Sequence, residues 1–93
     1  MIRSFKDAKT QALIDGKVPK GFPSEITRTA QRKLTMIDSA VVLSDLLSPP
    51  GNRLEALKGS RAGQHSIRIN DQWRVCFVWK DGGAENVEIV DYH

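Results

Sequence analysis

The apolar and polar residues of this chain change rhythm near residue 50, from helical spacing to alternation. Before that point, Ile2-Arg3-Ser4-Phe5 alternates briefly, as a short first strand does. Ser4 suits the N-cap of a helix running to about Asp15. Phe5, Ala8, Ala12 and Leu13 fall on one face of that helix, and Gly16 suits its stop. Residues 18–23 hold two prolines and a glycine, which predicts a loop. Ser24 suits the cap of a second helix reaching about Ala40. Its buried stripe is Ile26, Ala30, Leu34, Ile37 and Val41, with Arg28, Arg32 and Lys33 placed off it on a solvated face. Leu43 to Leu47 predicts one more helical turn, and Ser48-Pro49-Pro50-Gly51-Asn52 breaks the chain.

From Leu54 the period is two. Leu54 to Leu57 reads as short and extended. His65 to Asn70 puts Ile67 and Ile69 on one face and Ser66 and Arg68 on the other. Trp73 to Lys80 puts Trp73, Val75, Phe77 and Trp79 on one face and Arg74, Cys76 and Val78 on the other. Asn86 to Tyr92 is the last strand. Asn70-Asp71-Gln72 and Asp81-Gly82-Gly83 read as hairpin connections, the second stronger because its glycines accept positive φ. The expected fold is α+β. An N-terminal strand and two helices pack on one face of a mainly antiparallel sheet of about four to five strands. Residues 1–93 are expected to form a single domain.

Charge sharpens this picture. Residues 1–80 hold all 14 Lys and Arg but seven of the 11 Asp and Glu, a net +7; residues 81–93 hold the other four acids, a net −4. A basic body of this kind favours a polyanion or an acidic protein partner. The single cysteine, Cys76, excludes an internal disulfide and a cysteine zinc cage, and it reads as a small core residue. The opening residues lack the long apolar stretch of a signal peptide, and no run approaches the ~20 apolar residues of a membrane span. A cytoplasmic protein with no membrane contact is expected.

Candidate chemistry gathers on the strands. Arg68 and Arg74 lie off the apolar register on adjacent strands, so their side chains can converge. Arginine suits phosphate because its planar fork donates two hydrogen bonds and stays charged. Lys58 and Arg61 flank Gly59 on the preceding loop and add to the same field, with Arg53 a further candidate for RNA phosphate. The alternative, that the strand arginines simply extend into water, stays open. Asp91-Tyr92-His93 supplies a carboxylate, a phenol and an imidazole. Cleaving RNA requires a base for a ribose 2′-hydroxyl, cations for the phosphorane and an acid for the leaving 5′-oxygen. Histidine, with an unperturbed pKa of ~6.5, can give or take a proton near neutrality. His65 shares the register of Ile67 and Ile69 and reads as a packing residue; Trp73 and Trp79 read as core. Two histidines without a supporting cluster make a poor metal site, and no nucleotide-, esterase- or zincin-type motif is present. Neither a metal nor a cofactor is expected.

Taken in order, Ile2-Arg3-Ser4-Phe5, Leu57-Lys58-Gly59, Gly63, Ser66-Ile67-Arg68, Asn70, Trp73-Arg74 and Asp91-Tyr92-His93 resemble the HigB branch of the RelE/ParE toxin superfamily. The resemblance covers essentially the whole chain. It implies a compact α+β fold and a ribosome-dependent endoribonuclease that cuts mRNA in the A site, in contact with 16S rRNA. It implies a HigA-type helix-turn-helix antitoxin and a complex of the two that represses its own operator DNA. By residue, it implies that Lys58 is a basic group of the active site and that Arg74 holds the scissile phosphate. Asp91, Tyr92 and His93 match the family's terminal cluster, and Arg68 matches a recurrent basic strand position. One position departs from the pattern. HigB proteins often carry a histidine three residues before the loop lysine, and here Glu55 stands there. A carboxylate at that place can act as a base, titrating near ~4.3 unless its surroundings shift it, or it can pair with Lys58 or Arg53. His93 is then expected to carry more of the proton transfer. Two alternatives stay open: a ParE-like toxin that binds DNA gyrase, and a weakly active relative that acts mainly with its antitoxin as a repressor.

Overall fold

The computed structural model describes residues 1–91, so the expectations for Tyr92 and His93 fall outside the described residues. Helix α1 spans Ala8–Ile14 and is capped by Asp7, whose carboxylate accepts a hydrogen bond from the Thr10 amide at 2.8 Å. The expected cap, Ser4, is engaged elsewhere: its hydroxyl accepts from the Asn86 amide at 2.9 Å. Ile2 and Phe5 form isolated parallel bridges with Ala84 and Val87. The backbone of residues 2–6 is thus spent on the last strand, which keeps it extended and delays the helix. The expected N-terminal strand is reduced to these two bridges.

Helix α2 spans Thr27–Ser39 and follows a 3-10 turn at Ser24–Ile26, so Ser24 is not its cap. Ala30, Leu34 and Ile37 are buried as expected. Val41 is 75% exposed, because the chain turns extended at Ala40 and leaves the stripe. Lys33 corrects the reading in the other direction. It lies three residues after Ala30 and four before Ile37, which is the buried face, and it is only 6% exposed. Its ammonium donates to the Asn52 side-chain carbonyl. Burial, with Arg32 and Arg68 nearby, holds its pKa below the ordinary lysine value.

The sheet has four antiparallel strands in sequence order: β1 (Glu55–Ala56), β2 (His65–Arg68), β3 (Trp73–Lys80) and β4 (Gly83–Asp91). The β2–β3 connection is held by the Asn70 side-chain carbonyl, which accepts from the Gln72 and Trp73 amides at 2.8 Å each. Asp81 and Gly82, with φ of 50° and 78°, form the two-residue turn between β3 and β4. Gly83 therefore already pairs with Lys80, and β4 begins earlier than the alternation suggested. A bulge at Asn86 (φ 52°) shifts the register between Cys76 and Val78. That extra residue lets Ala84 and Val87, three apart, both turn inward and be fully buried.

One sheet face packs on the helices. Ile67, Ile69, Val75, Phe77, Ala84 and Val87 meet Leu13, Ile26, Ala30, Leu34 and Ile37 in a single cluster, with Trp73, Trp79 and Ile89 at its margin. Burying each large side chain stabilises the fold by ~1.5–3 kcal/mol. On the opposite face, which presents the polar register, the 3-10 turns at Pro50–Asn52 and Gly59–Arg61 bring Arg53 against Arg74 and Arg61 against Glu88.

Candidate active site

Strand alternation and register decide what the open face holds. Arg68 and Arg74 are direct cross-strand partners, so the hairpin brings them side by side as expected. Glu55 stands opposite Ser66, Ser66 opposite Cys76, and Cys76 opposite Glu88, making one row across all four strands.

Arg74 is the centre. Its guanidinium is only 12% exposed. Nε donates to the Ser66 hydroxyl at 2.7 Å, and one terminal nitrogen donates to the Arg53 main-chain carbonyl at 2.7 Å and the Ser66 carbonyl at 3.4 Å. Glu55, 52% exposed, places a carboxylate oxygen 3.9 Å from Nε. Arg68 lies next along the row and pairs at 2.5 Å with Asp71, which is fully exposed. Such an exposed pair contributes little to stability and opens readily. Lys58 precedes the 3-10 turn at Gly59–Arg61, is exposed, and makes no ion pair or side-chain hydrogen bond among the described residues. Arg53 holds a left-handed backbone (φ 45°) and meets Arg74 through its carbonyl.

Two candidates sit differently from their expected roles. Arg61 points inward: it donates to Gln64 at 3.0 Å and to Glu88 at 3.2 Å. Glu88 also pairs with Lys6 at 3.1 Å and is itself only 12% exposed. Arg61 thereby tethers the Lys58 loop across the sheet to β4. Asp91 pairs in register with Trp73, which puts it on the helix-side register, one position from Arg74; it accepts from Gln72 at 3.1 Å. The strand alternation thus separates Asp91 from the open face where the arginines lie. Tyr92 and His93 lie outside the described residues.

His65 is a packing residue, stacked on Phe77 with ring centres 6.5 Å apart and its Nδ1 buried without a hydrogen-bond partner among the described residues. Cys76 is buried in the middle of the open face. Burial pushes its thiol pKa up, so it is held as the unreactive thiol. Among the described residues no three histidine, cysteine, aspartate or glutamate side chains gather as a metal site. A cavity of about 230 Å³ lies on the other side of the sheet, between Asp7, Thr10, Phe22, Trp73 and Ile89, away from Arg74. Sequence reading missed Ser66, Glu88, Lys33 and Asn52. The signal for Glu88 was present as a lone polar residue between Val87 and Ile89, and that for Ser66 as its place opposite the register of Ile67 and Ile69; Asn52 carried none.

A nearly buried arginine, a neighbouring carboxylate and a second arginine on an open sheet face, with Lys58 exposed on the adjoining loop, can hold a phosphodiester and move a proton beside it. The architecture around them has known counterparts. A YafQ variant from E. coli superposes with a TM-score of 0.64 at 12% identity, covering 98% of this chain and 93% of that one. A YoeB–YefM complex from Staphylococcus aureus superposes at 0.61 and 22% identity, covering 100% and 98%. These likenesses define the fold alone, a small α+β domain that this chain shares with both proteins. Within that fold, residues 3–93 match the HigB-like toxins, RelE-like toxins of the type II toxin–antitoxin system HigB, and the chain belongs to that family. It is 44% identical over 87 residues to toxin HigB-1 of Vibrio cholerae serotype O1, covering 92% of each. It is 32% identical over 93 residues to the endoribonuclease HigB of Proteus vulgaris, covering 100% of each. The match is to the HigB branch, which disfavours the gyrase-binding alternative. A toxin of a type II system has an antitoxin as its partner. No helix among the described residues is long and apolar enough to cross a membrane.

Proposed function

We propose that this chain is an endoribonuclease that cleaves mRNA in the ribosomal A site by metal-independent acid–base attack of a ribose 2′-hydroxyl. The observation that carries this reading is Arg74, a nearly buried guanidinium on the open face with the Glu55 carboxylate 3.9 Å away. Glu55 takes the 2′-hydroxyl proton, and the oxygen attacks phosphorus in line. Arg74, with Lys58 and Arg68, holds the charge that builds on the phosphorane. The bond to the 5′-oxygen breaks, and His93 protonates that oxygen. The products are a 2′,3′-cyclic phosphate and a 5′-hydroxyl. Tyr92 stacks on a base or orients the hydroxyl. Asp91 orients these terminal groups from the other register, and Arg61 holds the Lys58 loop in place.

The ribosome supplies the alignment that so small a protein lacks, through contacts of the basic body with 16S rRNA and mRNA phosphates. The antitoxin is a HigA-type helix-turn-helix protein, whose complex with the toxin acts on operator DNA in the cytoplasm. The HigB relatives and the basic body of the chain support these assignments. Primer extension on a defined mRNA, with and without translating ribosomes, tests the reading. Cuts at fixed positions within A-site codons, on ribosomes only, are expected. Folded protein that arrests growth yet leaves the mRNA whole would defeat it.

A further inference from the structure

Asn52 is fully buried in a chain break of prolines and glycine, a place where loops normally face water. Both polar groups of its side chain are engaged. Its carbonyl accepts from Lys33, and its amide donates to the main-chain carbonyls of Leu46 at 3.2 Å and Ser48 at 3.3 Å. The next residue, Arg53, is held left-handed (φ 45°, ψ 55°), a conformation that strains a side chain of its type. That conformation aims its carbonyl at Arg74, which donates to it at 2.7 Å. Lys33, buried on α2, reaches Asn52 from the far side and has no carboxylate partner among the described residues. A buried ammonium satisfied by one amide breaks the usual rule for buried charge.

We infer that Asn52, fastened from behind by Lys33, is a positioning residue for Arg74: it fixes the strained Arg53 peptide whose carbonyl orients the phosphate-holding guanidinium. The chain of contacts runs from α2 through the loop to β3 without a gap. It accounts for a fully buried loop asparagine, a buried lysine and a left-handed arginine together. The inference rests on the reading of Arg74 as the phosphate-holding group.

The test is a double-mutant cycle with two readouts. In folded Asn52→Ala protein, the Arg74 Nε–H cross-peak in a ¹⁵N–¹H spectrum is expected to shift or broaden. Ribosome-dependent cleavage is expected to fall about 10- to 100-fold in kcat, with KM little changed. Adding Asn52→Ala to Arg74→Ala is expected to cost almost nothing more, because both remove one function. If Asn52→Ala does not fold, Lys33→Met takes its place, with the same direction and a smaller loss. An unmoved Arg74 cross-peak in a folded variant, or losses that multiply in the double variant, overturns the inference. Full cleavage by Arg74→Ala overturns its catalytic half together with the reading of Arg74, and a shifted cross-peak then shows that the link itself was not what failed.

Discussion

On one face of β3, Val75 and Phe77 disappear among the side chains of the helices; on the other, Arg74 and Cys76 are covered by charged and polar neighbours. One strand thus buries side chains by two routes. On the helix side burial is itself favourable, and any apolar group of similar volume serves. On the open side burial of a guanidinium costs desolvation, which placed acceptors offset, among them Ser66, the Arg53 carbonyl and Glu55. The first face answers to volume, the second to geometry. Substitutions on the two faces should therefore fail in different currencies, stability for one and rate for the other.

The largest expected effect is on the apolar side. Phe77→Ala removes a fully buried ring and is expected to lose about 3–5 kcal/mol of stability, read by urea denaturation; a loss below about 1 kcal/mol would break the comparison. Arg74→Ala is expected to keep the fold, shown by unchanged circular dichroism. It should lower cleavage by about 10²–10³-fold, and Arg74→Lys should recover only part of that because the fork is lost. Glu55→Gln follows, with an expected fall of about 10²-fold in ribosome-dependent cleavage. Undiminished cleavage by that variant would move the base to another group.

The smallest effect is a pH dependence of stability. Folding lowers the Lys33 pKa from 10.5, so between the folded value and 10.5 the unfolded chain binds the extra proton. Stability relative to Lys33→Met is then expected to rise as pH increases through that window, and to be flat below it, where both states are protonated. Denaturation curves of both proteins from pH 7 to 10.5 measure it; a difference that falls with rising pH would contradict the buried ammonium.

Much of the fold was legible because it is written locally. The alternation of β3, the Asp81-Gly82 turn and the Ala30-Leu34-Ile37 stripe all lie within one element, and the structure has them where the pattern put them. What escaped depends on distant partners. Ser4 resembles a helix cap until β4, 82 residues away, claims its hydroxyl. Lys33 was judged by its charge rather than its position, although three and four residues separate it from buried neighbours. The bulge at Asn86 exists to reconcile two long-range pairings and leaves no local mark beyond a residue that tolerates positive φ. The candidate site divides in the same way. Lys58, Arg68 and Arg74 follow from register and loop position and Glu55 from its place in the HigB pattern, and the structure brings Glu55, Arg68 and Arg74 together on one face. Arg61 carries the right charge for phosphate, but Glu88, 27 residues on, determines where it points.

The most direct test of the chemistry is to replace one ribose by 2′-deoxyribose at the scissile nucleotide of a defined mRNA, programme ribosomes with it, and measure cleavage by the wild-type protein. Attack by the 2′-hydroxyl predicts that this site is no longer cut, while the all-ribose mRNA yields a 2′,3′-cyclic phosphate end. Cleavage of the deoxy site at the normal rate would contradict the account.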